Sequence, residues 1–199
     1  MTTLNAEYWN QRYLEKDTPW DIGHVSTPLR HVFDHLDDKA LRILIPGAGR
    51  AHEALYLHRH GFHNVWVCDW APRAFSFLRK QAPDFPESHL LAKDFFQLDG
   101  TFDLLVEQTF LSALPPVLRP EYVQKVWELL ARDGYLTGVL FNEKFERDGP
   151  PFGGTQKGYE SLFQPYFHLE EWHLAHDSIS PRQGRELFLR FRKKHTPDG

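Results

Sequence analysis

The chain has 199 residues, of which 41% are hydrophobic and 25% are charged, and its formal net charge is −4. This length suits one domain with a sizeable core, and the composition excludes a largely disordered chain. The acidic balance argues against a surface built to coat nucleic acid, so we expect no nucleic-acid partner. We therefore treat residues 1–199 as a single domain.

Hydropathy and the number of cysteines indicate where in the cell to expect the protein. No stretch approaches the roughly 20 apolar residues of a membrane span, and residues 1–10 lack the apolar core of a signal peptide. The single cysteine, Cys68, lies in a predicted buried strand, where we expect an unreactive core thiol. From these features we expect a cytoplasmic monomer without membrane contact.

The first 38 residues precede the predicted sheet and are rich in aromatic side chains. Residues 5–14 predict a short helix, and residues 26–38 predict a second one. The loop between them presents Trp20, and a tryptophan in a loop either fills the edge of a core or stacks on a ligand ring. We expect residues 1–38 to form a lid across a pocket or an accessory layer behind the sheet.

The chain is organised around an apolar run at residues 41–45 that is followed by Gly47 and Gly49. Both glycines allow the backbone to turn tightly and to approach a ligand that a Cβ would block. A helical pattern then leads to a second apolar run ending at Asp69, about 20 residues after Gly49. This arrangement is typical of α/β nucleotide pockets, in which the carboxylate hydrogen-bonds a ribose.

Further strand and helix patterns follow in alternation. The strands are predicted at residues 90–92, 102–107 and 135–141, and the helices at 74–82 and 120–130. Such alternation predicts right-handed crossovers and a parallel sheet. Two last strands, 167–179 and 185–191, lack a clear helix between them and predict an antiparallel hairpin. The predicted fold class is therefore α/β: a doubly wound, mostly parallel seven-stranded sheet with a C-terminal antiparallel hairpin, the Rossmann-like class I methyltransferase variant.

The pattern of glycines and acid is compatible with a dinucleotide or with an adenosine-containing methyl donor. The dinucleotide pattern requires a third glycine at position 52, where this chain has His52. Asp94 supplies a polar group for an adenine edge and Phe95 a ring for its face. Glu107 and Gln108 stand at the end of the fourth strand, where a cationic amino-acid tail is expected. The residues therefore favour a methyl donor, and a nicotinamide-dependent oxidoreductase is the weakest alternative.

Together these segments resemble the thiopurine S-methyltransferase family, nearest to its branch of halide and thiol methyltransferases. The resemblance covers nearly the whole chain. The residues that carry it are Trp9 with Tyr13, the loop 18–23, residues 45–49, Asp69, residues 94–96, Phe102 with Asp103, residues 109–114 and the loop 149–152.

The resemblance implies that S-adenosylmethionine is the methyl donor and S-adenosylhomocysteine the product. It implies that Trp9 and Trp20 fold over the donor, and that Tyr13 keeps an aromatic face where the family often has tryptophan. It further implies that glycines line the donor, that Asp69 holds the ribose and that Gln108 reaches the methionine end. The full set of implied donor contacts is Trp9, Tyr13, Trp20, Gly47, Gly49, Asp69, Asp94, Phe95 and Gln108.

The implied acceptor is a small soft nucleophile: a thiol, thiopurine, halide or metalloid. We expect Phe110 and Phe152 to line its pocket. A thiol with a pKa near about 8.5 is partly ionised at neutral pH and a halide carries no proton, so we assign no catalytic residue. We expect no metal site, because the histidine pairs lack the ligand spacing of one. A non-catalytic sensor of an adenosine ligand is the alternative function.

Overall fold

A computed structural model describes residues 4–146 and 148–198, so residues 1–3 of the predicted lid segment lie outside the described residues. Its strands are β1 (Ile43–Pro46), β2 (Val65–Cys68), β3 (Leu90–Leu91), β4 (Phe102–Gln108), β5 (Leu130–Phe141), β6 (Phe167–Leu174) and β7 (Glu186–Lys193). Its helices are α1 (Ala6–Leu14), α2 (Thr27–Asp34), α3 (His52–Arg59), α4 (Ser76–Gln81), α5 (Phe110–Ala113), α6 (Arg119–Leu129) and α7 (Gln156–Phe163).

The seven strands form one sheet in the order β3-β2-β1-β4-β5-β7-β6. Strands β1 to β5 pair in parallel, whereas β7 lies antiparallel between β5 and β6. The predicted fold class is confirmed, including the C-terminal hairpin. This order places the carboxyl ends of β1, β2 and β4 side by side, where an open α/β sheet forms its ligand crevice.

Apolar side chains fill a core on each face of the sheet. Ile43 and Ile45 of β1 face one core, while Leu44 between them faces the other, because successive side chains of a strand point to opposite faces. Helices α2 and α3 cover the first core and α6 and α7 the second. Helix α2 buries Leu29 and Phe33, so this part of segment 1–38 belongs to the packed layer.

Strand β5 begins at Leu130, five residues before the predicted start at 135, because Leu130 already pairs with Phe102 across an irregular stretch of the β4–β5 ladder. Strand β6 ends at Leu174 instead of 179. The chain turns after this strand, where Asp177 lies 2.8 Å from Nδ1 of His31 in α2. These contacts join residues far apart in the sequence, so the local hydropathy pattern does not predict them.

Strand β1 begins at Ile43 and not at 41, because the N–H of Arg42 donates to the carboxylate of Asp103 at 2.8 Å instead of joining the ladder. Helix α2 ends at Asp34, before the predicted end at 37–38. Across the part of the chain that the structure describes, no helix is long and apolar enough to cross a membrane.

Candidate functional site

A tight backbone turn follows β1, and we call residues 46–50 the glycine turn. Gly47 and Gly49 both have φ of 56°, in the left-handed region that favours glycine. The N–H of Gly49 donates to Oδ2 of Asp69 at 3.3 Å, and the N–H of Ala71 donates to Oδ1 of Asp69 at 2.8 Å. Asp69 stands one residue beyond β2. The predicted pairing of a glycine turn with an acid is thus present in the fold.

The surroundings of Asp69 alter its protonation. Burial raises the pKa of Asp69 to about 6, although the two N–H donors from Ala71 and Gly49 act in the opposite direction. A carboxylate in this position accepts hydrogen bonds more strongly than one in water, because few other dipoles compete for it. Above pH 6 the carboxylate of Asp69 is mostly ionised and can accept hydrogen bonds.

Aromatic side chains from the N-terminal segment cover the glycine turn. The position of a Cβ on Gly49 would lie 3.6 Å from the Tyr13 hydroxyl oxygen and 3.6 Å from Nε1 of Trp20. The Trp20 ring meets Trp9 edge to face at 5.5 Å and Tyr13 at 5.8 Å between centroids. The structure therefore brings the three predicted lid residues together, with Tyr13 and Trp20 over Gly49 and Trp9 against the ring of Trp20.

The loop that carries Trp20, residues 17–23, is called the lid loop. Asp21 joins it to the end of the glycine turn and the start of α3: Oδ2 lies 2.8 Å from Nε of Arg50, and Oδ1 lies 2.8 Å from Nε2 of His52. Burial opposes ionisation of Asp21, but the Gly23 N–H and His52 outweigh it and lower the pKa of Asp21. His52 interrupts the glycine pattern in the sequence, and its role in holding the lid loop is visible only in the fold.

The end of β4 forms the other wall of the site. Thr109 has φ of 64°, and this left-handed residue separates Gln108 from Phe110. A Cβ on Gly47 would collide with Cδ2, Cγ and Cβ of Phe110, so position 47 has to be glycine while that side chain is in place. Phe110 was predicted to line an acceptor pocket, and the structure places it directly against the glycine turn.

A buried carboxyl group supports this wall from the core. Glu107 is fully buried, and its Oε1 accepts the N–H of Leu111 at 3.1 Å. Its Oε2 accepts the hydroxyl of Tyr122. Burial raises the pKa of Glu107 to about 7. Sequence reasoning placed Glu107 at the end of β4, but the pairing with Tyr122 on α6 depends on tertiary contacts that no local pattern records.

Two cavities lie near the carboxyl ends of the strands, an open one beside Trp70 and a small one beside the glycine turn. The larger, about 640 Å³, is lined by Asp94 and by Trp70, a residue that sequence reasoning did not select. Oδ1 of Asp94 accepts the N–H of Phe96 at 3.0 Å. The ring of Phe95 does not line this cavity; it is 3% exposed and packs against Phe110 at 5.3 Å.

The smaller cavity, about 30 Å³, lies between the lid loop and the glycine turn. Its lining includes Trp20, Gly47 and Gln108. The Oε1 atom of Gln108 is buried and has no hydrogen-bond partner among the residues that the structure describes. A buried acceptor without a hydrogen-bond donor is costly, so this oxygen is free to accept an N–H or O–H group that enters the cavity.

The second predicted acceptor residue, Phe152, is held near α5 by its backbone. Its N–H donates to the carbonyl of Ser112 at 2.6 Å, and Arg119 donates to its carbonyl at 3.1 Å. Phe110 begins the helix that contains Ser112. The segments that carry Phe110 and Phe152 are therefore joined by a hydrogen bond. Phe152 lines neither of the two cavities described above.

The single cysteine lies in the core, and the described residues offer no cluster of metal ligands. Burial raises the pKa of the Cys68 thiol to about 12, so it is a core residue and not a nucleophile. Within residues 4–146 and 148–198, no three His, Cys, Asp or Glu side chains are grouped so that they could hold a metal ion.

The sequence of the chain is similar to those of known methyltransferases. Residues 4–195 match the family model described as thiopurine S-methyltransferase. The chain is 26% identical to probable thiol methyltransferase 2 of Arabidopsis thaliana, over 98% of this chain and 89% of that protein. It is 25% identical to thiocyanate methyltransferase 1 of Arabidopsis thaliana, over 96% of this chain and 86% of that protein.

Solved structures show the same fold at lower sequence identity. The 1,6-didemethyltoxoflavin-N1-methyltransferase of Burkholderia thailandensis, with 1,6-didemethyltoxoflavin and S-adenosylhomocysteine bound, superposes with a TM-score of 0.74. The superposition covers 95% of this chain and 87% of that one at 18% identity. At this identity the likeness shows the fold alone, and the sheet order and C-terminal hairpin agree with it.

Proposed function

The chain belongs to the thiopurine S-methyltransferase family, and we propose that it methylates a small sulfur nucleophile of the thiol or thiocyanate class. S-Adenosylmethionine is the methyl donor. The relatives are named for thiol and thiocyanate acceptors, which share a soft sulfur nucleophile. The observation that carries the proposal is the enclosure of Gly49 between the carboxylate of Asp69 and the rings of Tyr13 and Trp20.

The residues present fit this donor on structural grounds. The donor has a nucleoside end with a ribose diol and an amino-acid end with an ammonium group. Asp69 offers a carboxylate for the diol beside a turn whose left-handed glycines expose backbone. Gln108 offers an unpartnered oxygen that can accept an N–H of the ammonium group. The two chemical ends of the donor thus meet complementary groups on either side of the glycine turn.

The adenine ring needs a polar contact at its edge and an apolar surface at its face. We propose that Asp94 provides the edge contact through the oxygen that does not cap residue 96. Trp70, which lines the same cavity and is 36% exposed, offers a ring for the face. Phe95 was predicted for that face. We propose that it instead supports the wall through its contact with Phe110.

The chemistry requires positioning more than proton transfer. When bound, S-adenosylmethionine supplies an electrophilic methyl group on a sulfonium sulfur. Tyr13 and Trp20 exclude water from the glycine turn, and Phe110 limits the directions from which an acceptor can approach. A thiol with a pKa near about 8.5 is partly thiolate at neutral pH and thiocyanate carries no proton, so no general base is assigned.

The proposal is tested by turnover. The purified protein is incubated with S-adenosylmethionine labelled in its methyl group and with separate acceptors: small thiols, thiocyanate, thiopurines, iodide and selenite. We expect label in the methylated product of at least one sulfur acceptor and none with Asp69→Ala. Transfer to iodide or selenite alone would contradict the sulfur acceptor. Binding of S-adenosylhomocysteine without transfer to any acceptor would favour a non-catalytic binding protein.

A further inference from the structure

The turn between β6 and β7 sends one arginine towards the lid loop. Nη2 of Arg182 donates to the backbone carbonyl of Trp20 at 2.9 Å, across 162 positions of sequence. Nη1 of the same guanidinium lies 3.2 Å from Oε1 of Glu186, and the group stands 5.4 Å from the ring centre of Phe141. The side chains of Arg182 and Glu186 are only 11% and 3% exposed. This contact is therefore a buried one and not a surface ion pair.

The contact falls on the residue whose ring covers the glycine turn. Trp20 is held by its carbonyl from the C-terminal hairpin, while the next residue, Asp21, is held by its carboxylate from Arg50 and His52. Two consecutive residues of the lid loop are thus fixed to two different parts of the fold. The ring of Trp20 extends from this pinned segment over Gly49.

We propose that Arg182 is a positioning residue that fixes the lid loop over the donor site, so that the C-terminal hairpin contributes to donor binding without touching the donor. A guanidinium suits this task because its planar fork can donate to a carbonyl and a carboxylate at once. Glu186 orients the fork, since it pairs with a second nitrogen of the same group. Arg182 acts through Trp20 and contacts neither of the expected reactants.

This inference rests on the proposed function, because the lid is described as a lid over S-adenosylmethionine. The contact from Arg182 to the lid loop is also present in the free protein, however. If Arg182 fixes the lid loop, the loop opens more often when Arg182 is removed, whether or not any donor binds. Amide hydrogen exchange of residues 18–23 measures that opening directly.

The variant that removes Arg182 must not leave the carboxylate of Glu186 unpaired in the core. Arg182→Met alone would leave Glu186 buried without a partner, which destabilises a fold on its own account. The paired variant Arg182→Met with Glu186→Gln removes both charges together. Glu186→Gln alone keeps the Arg182 contact to Trp20 and measures separately the effect of losing the Glu186 charge. Arg185→Met is the matched control, because Arg185 lies in the same turn but pairs with Glu143 at the surface.

We expect faster exchange at residues 18–23 in the paired variant, with Glu186→Gln and Arg185→Met close to wild type. We also expect S-adenosylhomocysteine to bind the paired variant about tenfold more weakly by calorimetry, the loss that one charge-assisted hydrogen bond accounts for. Arg182→Lys, which can donate to the carbonyl of Trp20, should recover part of the affinity. Melting temperatures of all variants are measured alongside to detect general unfolding.

Exchange at residues 18–23 that stays at the wild-type rate in the paired variant overturns the proposal. So does faster exchange with unchanged affinity for S-adenosylhomocysteine, since the loop would then be anchored without serving the donor. An equal loss of affinity in Arg185→Met would show a general effect of the turn and also overturn it. Wild-type protein that binds no S-adenosylhomocysteine contradicts the proposed function instead, and the exchange measurement still decides whether Arg182 anchors the loop.

Discussion

The hydroxyl of Tyr122 and Oε2 of Glu107 lie 2.5 Å apart inside the core, and both side chains are 0% exposed. Glu107 also accepts the N–H of Leu111, in the short helix that Phe110 begins. A carboxyl group without access to solvent thus ties the end of β4 to α6. The wall that carries Gln108 and Phe110 is fixed from the core side by this pair.

The pair predicts a specific dependence of stability on pH. Burial raises the pKa of Glu107 from 4.5 to about 7 in the folded protein. The folded state therefore holds a proton that the unfolded state has released, and this contribution to stability is full below pH 4.5 and lost as the pH rises through 7. The amide in Glu107→Gln cannot titrate. Between pH 4.5 and pH 7 the free energy of unfolding of this variant should therefore fall by about 3 kcal/mol less than that of wild type.

Urea unfolding at a series of pH values measures this difference. Glu53 and Asp69 also have raised pKa values, but both are present in wild type and in Glu107→Gln, so their contributions cancel. Parallel pH profiles for the two proteins would show that the carboxyl of Glu107 does not titrate in this range.

Gly47→Ala should destabilise the protein by more than the backbone strain of a left-handed alanine, because its Cβ also meets Phe110. Gly61→Ala is the matched control, since Gly61 also has a positive φ, of 85°, but has nothing within 4 Å of the position of a Cβ. A left-handed alanine costs about 1–2 kcal/mol by itself. The Cβ at position 47 additionally collides with the ring of Phe110.

We therefore expect Gly61→Ala to lower the free energy of unfolding slightly and to leave binding of S-adenosylhomocysteine intact. Gly47→Ala should lower both, and calorimetry together with urea unfolding separates the two effects. Equal behaviour of the two variants would mean that Phe110 moves away from Gly47 at little cost.

Trp20→Ala should weaken donor binding without unfolding the protein. The Trp20 ring lies over Gly49 and is only partly buried, so its removal opens the glycine turn to water and costs little core packing. We expect about a tenfold rise in the Kd of S-adenosylhomocysteine, the order of magnitude of one lost aromatic contact. Leu14→Ala, in α1 and 55% exposed, is the control and should bind as wild type does. An unchanged Kd in Trp20→Ala would show that the Trp20 ring does not contribute to donor binding.

Donor affinity should fall in acid because Asp69 gains a proton. Burial raises the pKa of Asp69 to about 6, and only the ionised carboxylate accepts hydrogen bonds from both hydroxyls of a ribose diol. Below pH 6 the Kd of S-adenosylhomocysteine should rise by up to about tenfold per pH unit. Calorimetry between pH 5 and 7.5 tests this, with Asp69→Asn expected to bind weakly and without the same slope. A flat profile in wild type would contradict the role given to Asp69.

The sequence predicted the sheet and the meeting of the glycine turn with Asp69 because both depend on local patterns. The apolar run before Gly47 and the acid after β2 are encoded within one strand, turn, helix and strand unit. Strand ends were less accurate, because β1 and β6 are limited by side-chain contacts to distant segments, Arg42 with Asp103 and His31 with Asp177.

The position of the lid could not be derived from local patterns. A tryptophan in a loop has no periodicity, and the assignment of Trp20 came from the family resemblance. The contacts that hold it, from Arg182 and through Asp21 from His52, join segments far apart in sequence. Trp70 was not predicted as a site residue for a similar reason. It lines the same cavity as Asp94 only because two separate loops pack together.

The measurement that tests the central claim most directly is the binding of S-adenosylhomocysteine to wild type and to Asp69→Ala by calorimetry. Asp99→Ala, an exposed acid outside both cavities, is the control. We predict a micromolar Kd for wild type and for Asp99→Ala, and no measurable binding for Asp69→Ala. Wild-type protein that fails to bind, or Asp69→Ala that binds as wild type does, would contradict a donor site built on the glycine turn and Asp69.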